Sequence, residues 1–189
     1  MPFEGPRELT DPLTMRALAH PVRLALLEAL THAGPLTATE AAERVGESPS
    51  NCSFHLRQLA KYGFVEEAEG GTGRRRPWRA VSVGTQFSDV HADPETALAA
   101  GGLARVIRDR LLERARVGLE QSRLLPDEWR AVLGTSDMTL YVTPEEMGAI
   151  GEEMLEVLWR YRDRIADPSK RPEGSRPIQA AVFAYPIDF

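Results

Sequence analysis

Apolar and polar positions in the early part of the chain recur at the spacing of short, capped helices. In "HPVRLALLEALTHAG", Val22, Leu24, Ala25, Leu26, Leu27, Ala29 and Leu30 cover much of a helical surface. A helix that apolar is buried, and here Pro21 starts it and Gly34-Pro35 ends it. A shorter helix over Leu13 to His20 precedes it, opened by Thr10 or Asp11 with Pro12 in the first turn. In "LTATEAAERVG", Thr37 and Glu40 stand at capping-box spacing and Gly46 stops the helix. In "SPSNCSFHLRQLAKYG", Ser48 caps, Pro49 takes the first turn and Gly63 closes a helix over 49–62. Only Gly46-Glu47 separates these two helices, which predicts a helix-turn-helix.

After Gly63 the period changes. "FVEEAE" and "WRAVSV" read as strands around the glycine-rich basic turn "GGTGRRRP", so a wing follows the helix pair. Pro94 to about Leu125 reads as one long helix, with Leu98, Leu103, Val106, Ile107, Leu111, Leu112, Ala115 and Leu119 at roughly helical spacing. "DEWRAVLG" predicts a short helix, "MTLYVT" a strand, "PEEMGAIGEEMLEVLWRYRDRI" an amphipathic helix capped by Thr143, and "RPIQAAVFAYPI" a last strand. The expected fold is therefore mostly α with small β elements (α+β). A winged helix-turn-helix DNA-binding domain would occupy 1–88. A long dimerisation helix and a strand-helix-strand unit would occupy 89–189.

Charge sharpens this organisation. The net charge of −5 speaks against a nucleic-acid partner only until its distribution is considered. Residues 1–84 hold ten Lys/Arg and ten Asp/Glu, whereas 85–189 hold thirteen and eighteen. From Arg44 to Arg79 there are seven basic residues against four acidic ones. The local field at a docking surface governs DNA binding, and chain charge does not report it. One cysteine forms no internal disulfide, no apolar run approaches a bilayer span, and the start lacks the pattern of a signal peptide. A cytoplasmic protein with no membrane partner is expected.

On a helical wheel, Cys52, Leu56 and Leu59 share the face turned to the body of the domain. Ser50, Asn51, Ser53, Phe54, Arg57 and Lys61 project away from it, as candidates for base edges and phosphates in a major groove. Arg74, Arg75 and Arg76 at the hairpin tip, with Arg79 nearby, suit phosphate contact or minor-groove insertion. A solvated polar face and a solvated charge run are the competing readings. Cys52 and His55 offer two ligands where a zinc site wants three or four, and Cys52 faces the core. "DVHAD" (Asp89, His91, Asp93) lacks a second cluster of ligands in the helix that follows. No metal site, cofactor or catalytic residue is therefore expected. There is no phosphate-binding glycine loop, nucleophile elbow or exposed cysteine–histidine dyad, and the neighbouring Glu152 and Glu153 diverge on a helix.

The segments "LAHPVRLALLEAL", "ATEAAERVGESPSNCSFHLRQLAKYGFVEE" and "GGTGRRRPWRAV", covering about 13–84, resemble the arsenic-repressor-like (ArsR/SmtB) winged helix-turn-helix regulators. The matching positions are His20-Pro21-x-Arg23, Ser53-x-His55-Leu56-x-x-Leu59 and Gly63-Phe64-Val65. The resemblance implies a homodimer that binds a palindromic operator in double-stranded DNA and usually represses its own gene. It places Ser50, Asn51, Ser53, Phe54 and Arg57 where the family reads DNA, and His55 in a common His-Leu pair that needs no metal. The metal-sensing members carry a cysteine pair near 37–43, where this chain has "TATEAAE". The chain also runs roughly sixty residues beyond the compact sensors. An alternative is a regulator whose C-terminal half binds a small-molecule effector, with Trp129, Tyr141, Trp159, Tyr161, Phe183 and Tyr185 lining a pocket between tail and long helix.

Overall fold

The computed structural model describes residues 7–71, 76–82, 84–88 and 90–187. The elements follow as β1 (Arg7–Glu8), α1 (Pro12–Leu18), α2 (Pro21–Ala33), α3 (Ala38–Val45), α4 (Pro49–Lys61), β2 (Val65–Glu67) and β3 (Trp78–Ala80). Then come β4 (Thr85–Gln86), α5 (Pro94–Ser122), α6 (Asp127–Arg130), α7 (Pro144–Trp159), α8 (Asp163–Ala166) and a 3-10 turn at Pro168–Lys170. The fold is the expected α+β winged helix-turn-helix, mostly helical with small sheets.

Local chemistry places the helix ends. Asp11 accepts from the Thr14 backbone N–H at 2.7 Å to cap α1. Thr37 and Glu40 form a reciprocal capping box at the start of α3. The turn from α3 to α4 is made by Gly46, whose φ of 72° lies in the left-handed region that favours glycine. Ser48 then accepts from the Asn51 N–H at 3.2 Å and starts α4.

One core joins the N-terminal elements. Leu24, Leu26 and Leu30 of α2, Ala41 and Ala42 of α3, and Cys52, Leu56 and Leu59 of α4 pack with Phe64, Val65 and Ala80 of the hairpin region. Ala99, Ala100 and Leu103 bring the first turns of α5 into the same cluster. Strands β2 and β3 pair antiparallel, with Val65 opposite Ala80, Glu66 opposite Arg79 and Glu67 opposite Trp78. Leu36 and Trp78 exchange backbone hydrogen bonds of 3.0 and 2.7 Å, which ties the loop before α3 to the wing. The parallel pairing of β1 with β4 has no counterpart in the hydrophobic pattern, because two residues per strand are too few to alternate.

The C-terminal half departs from expectation. Helix α7 forms with its Thr143 capping box, but 138–142 and 176–187 are not strands among the described residues. The strand-helix-strand unit is thus corrected to a helix flanked by extended segments. A strand needs a neighbour for its backbone groups and its apolar side. Here Tyr141, Met138 and Tyr185 are each more than two-thirds exposed. Smaller corrections also follow. The wing strands are only three residues each, α4 ends at Lys61, and α5 stops at Ser122. No described helix is long and apolar enough to cross a membrane.

Candidate nucleic-acid interface

Helix α4 has two faces of opposite character. Cys52, Leu56 and Leu59 are fully buried, and His55 is 8% exposed. Ser50, Phe54, Arg57 and Lys61 are exposed, and Asn51 and Ser53 are half-buried on the same outward side. The six residues expected to read DNA therefore share one accessible face. Asn51 is not idle there: its Nδ2 donates to Glu47 Oε2 at 2.9 Å, and the Ser50 and Ser48 hydroxyls lie 3.1 Å apart. A DNA partner would have to displace or join these surface bonds, which cost little to exchange with water.

The inward face is held by stacking as well as by leucines. The His55 ring lies 4.5 Å from the His20 ring, and Phe54 meets His55 edge-on at 5.2 Å. His20 Nδ1 accepts from the Val22 N–H at 3.2 Å and so caps α2. His55 Nδ1 is buried with no hydrogen-bond partner among the described residues, as is Arg23 Nε. Desolvation pushes both imidazole pKa values below the ordinary histidine range; Arg23 lowers both further, and His20 also lowers that of His55. His20, Arg23 and His55 are thus one cluster beneath the outward face of α4.

Cys52 is sealed in the same layer. Burial raises its thiol pKa, and the Glu47 carboxylate raises it further. A thiol that resists ionisation suits packing better than metal ligation or nucleophilic attack. Among the described residues, no three histidine, cysteine or acidic side chains converge as metal ligands. Of the "DVHAD" patch, Asp89 lies outside the described residues. Asp93 is engaged in accepting from Thr96 N and Oγ1 at the start of α5.

The wing is less free than its charge run suggests. Arg76 binds Glu67 at 2.7 Å, and Arg79 pairs with Glu66 across the hairpin. Both pairs are about half exposed and are weak enough to open toward a phosphate. Arg74 and Arg75 lie outside the described residues. The pairing follows from the hairpin register, in which Val65-Glu66-Glu67 faces Trp78-Arg79-Ala80.

Arg7 was not anticipated. Its Nη1 donates to the Tyr62 carbonyl at 2.7 Å, and its guanidinium stacks 4.5 Å from the Phe64 ring centre. It ties β1 to the C-terminal end of α4, where a cation also complements the helix dipole. Of the C-terminal aromatics, Tyr141, Tyr161, Phe183 and Tyr185 are exposed, while Trp129 and Trp159 are half-buried.

Comparison with known proteins bears on the helix-turn-helix segment. A family model described as "Helix-turn-helix domain" matches residues 18–68, the span from the end of α1 to just past β2. Among curated proteins, none matches the chain. Among solved structures, a MarR family regulator from Neisseria meningitidis, NMB1585, is 17% identical, with 74% of this chain and 78% of that one covered at a TM-score of 0.33. A variant of ZitR from Lactococcus lactis is 16% identical, with 73% of each chain covered at a TM-score of 0.27. The matched segment and the outward face of α4 together support a DNA-binding transcriptional regulator carrying a helix-turn-helix domain.

Proposed function

We propose that the chain is a dimeric, sequence-specific repressor of the arsenic-repressor-like kind, reading a palindromic operator without a metal-sensing cysteine pair. The observation that carries the reading is the divided surface of α4. Its leucines and Cys52 fix the helix on the core, while Asn51, Phe54, Arg57 and Lys61 stand outward. In this reading α4 enters the major groove, Asn51 and Arg57 contact base edges, and Ser50, Ser53 and Lys61 contact phosphates. Arg74, Arg75, Arg76 and Arg79 of the wing add phosphate or minor-groove contacts.

Dimerisation through α5 is part of the proposal. Leu98, Leu112 and Leu119 are 74%, 51% and 42% exposed and recur at multiples of seven residues. That spacing suits a helix seam against a symmetry mate. Two-fold pairing would set the distance between the two copies of α4 and hence the spacing of half-sites. The domain division at about residue 88 belongs to this reading as well, with the first turns of α5 serving both parts.

The wing supplies the direct test. Removing one arginine–phosphate interaction should flatten the slope of log affinity against log salt by about 1. The Arg75→Ala, Arg76→Ala double variant should weaken binding to all sequences alike and lower that slope by roughly 1–2 per protomer. An unchanged slope contradicts a wing that touches phosphate.

A further inference from the structure

A cavity of about 230 Å³ lies between α2, β4 and α5, away from the outward face of α4. Leu24, Leu27, Phe64, Ile107 and Leu111 form its apolar wall. An apolar protein cavity of about 150 Å³ holds benzene, so this one has room for a single ring or a short chain bearing a small polar group. Nothing in the proposed DNA reading uses it.

The polar side of the cavity carries one acid and one base, Glu28 and Arg110, with a second base, Arg114, just outside the lining. Arg110 lines it and grips Glu28 with two nitrogens, Nε at 3.0 Å and Nη2 at 2.6 Å. Arg114 reaches the same carboxylate at 2.8 Å. Among the described residues, two guanidinium groups therefore share one carboxylate, which leaves one positive charge in excess. Burial depresses the pKa of His32, a lining residue; Arg114 and Arg171 lower it further, and Glu28 acts in the opposite direction. His32 thus stays neutral near pH 7 and adds a hydrogen-bonding group without adding charge.

We infer that this cavity binds a small apolar monocarboxylate, with its ring or chain among the leucines and its carboxylate at Arg110. An apolar wall with a few convergent polar groups is the ordinary form of a ligand site. Arg110 Nε and Nη2 are engaged by Glu28, so the ligand carboxylate would be met by the Nη1 donors in a charge-assisted hydrogen bond. A neutral molecule of the same shape would fill the wall but leave the excess guanidinium charge unpaired. A cation would be repelled. Because α2 belongs to the helix-turn-helix core and α5 is the proposed dimer helix, any effect on DNA affinity rests on the proposed function above and is a separate measurement.

The test uses the free full-length chain at pH 7, so its failure leaves the DNA reading untouched. Thermal unfolding is followed with benzoate, phenylacetate and hexanoate, and with benzamide as the uncharged match to benzoate. At least one acid should raise the melting temperature by roughly 3–5 °C for each tenfold increase beyond its dissociation constant, and benzamide should not. Arg110→Gln should weaken the acid about tenfold or more, and Ile107→Phe should abolish its effect by filling the wall. Equal shifts from benzoate and benzamide, or none from any acid, overturn the inference, as does an undiminished shift in a folded Ile107→Phe variant. Should either variant fail to fold, the benzoate–benzamide comparison on the unaltered chain decides.

Discussion

Two neighbouring residues on α4, Leu56 and Arg57, should respond in opposite ways to truncation. Leu56 is fully buried in the core. Leu56→Ala removes three buried carbons at about 0.8 kcal/mol each, or roughly 2.4 kcal/mol of transfer free energy. The void left by incomplete collapse raises the cost to about 3 kcal/mol. In a domain of this size, each kcal/mol lowers the melting temperature by roughly 2–4 °C, so a fall of about 6–12 °C is expected. Arg57 is exposed, and Arg57→Ala should change stability by no more than about 0.5 kcal/mol. Its cost should appear in recognition, where a bidentate base contact discriminates by about 1–3 kcal/mol, roughly 5- to 160-fold. Thermal unfolding measures the first effect. Fluorescence anisotropy on a selected DNA site and its shuffled counterpart measures the second. The two-faced reading of α4 fails if Arg57→Ala lowers the melting temperature as far as Leu56→Ala does. It fails equally if Arg57→Ala weakens binding to both DNAs by the same factor.

Two further outcomes follow from the layer beneath that face. Cys52→Val, a near-isosteric change at a sealed site, should cost less than about 1.5 kcal/mol and leave DNA affinity intact; loss of binding in a folded variant would return chemistry to the sulfur. Stability should also fall as pH drops from about 7 toward 5.5. The folded-state pKa values of His20, His32 and His55 are depressed, so the unfolded chain takes up protons near pH ~6.5 before the folded chain does. Their contribution is complete above that pH and is lost as pH falls toward the folded values, at a slope of up to about 1.4 kcal/mol per pH unit for each group. The carboxylates with lowered pKa values titrate below this window, so urea melts at pH 7.5 and 5.5 isolate the histidines; stability that is flat or higher at pH 5.5 refutes the burial argument.

The parts of the fold that were legible in the sequence are those fixed by neighbours in the chain. Thr37 with Glu40, Ser48 with Pro49, and Gly46 at its positive φ are local devices, and each helix boundary they mark was read to within a residue or two. The inward turn of Cys52, Leu56 and Leu59 followed from helical period alone. What escaped depends on distant partners. The alternation of Met138, Leu140 and Val142 reads as a strand, but alternation describes one side of a pairing and cannot supply the neighbour. The stacking of His55 on His20 joins residues 35 positions apart, and Arg7 reaches Tyr62 across 55. Arg76 and Arg79 read as a free basic run until the hairpin register set them beside Glu67 and Glu66. The cavity behind α2 was equally hidden, because its wall draws on elements spread from α1 to α5.

The central claim is that α4 reads a two-fold DNA site as part of a dimer, and selection of bound sequences from random double-stranded DNA tests it most directly. The expected product is one enriched motif with inverted half-sites about one helical turn apart, roughly 10 base pairs, whose enrichment disappears in Asn51→Ala and Arg57→Ala. Recovery of no motif, or of a single half-site with no symmetry and no dependence on those residues, would contradict it.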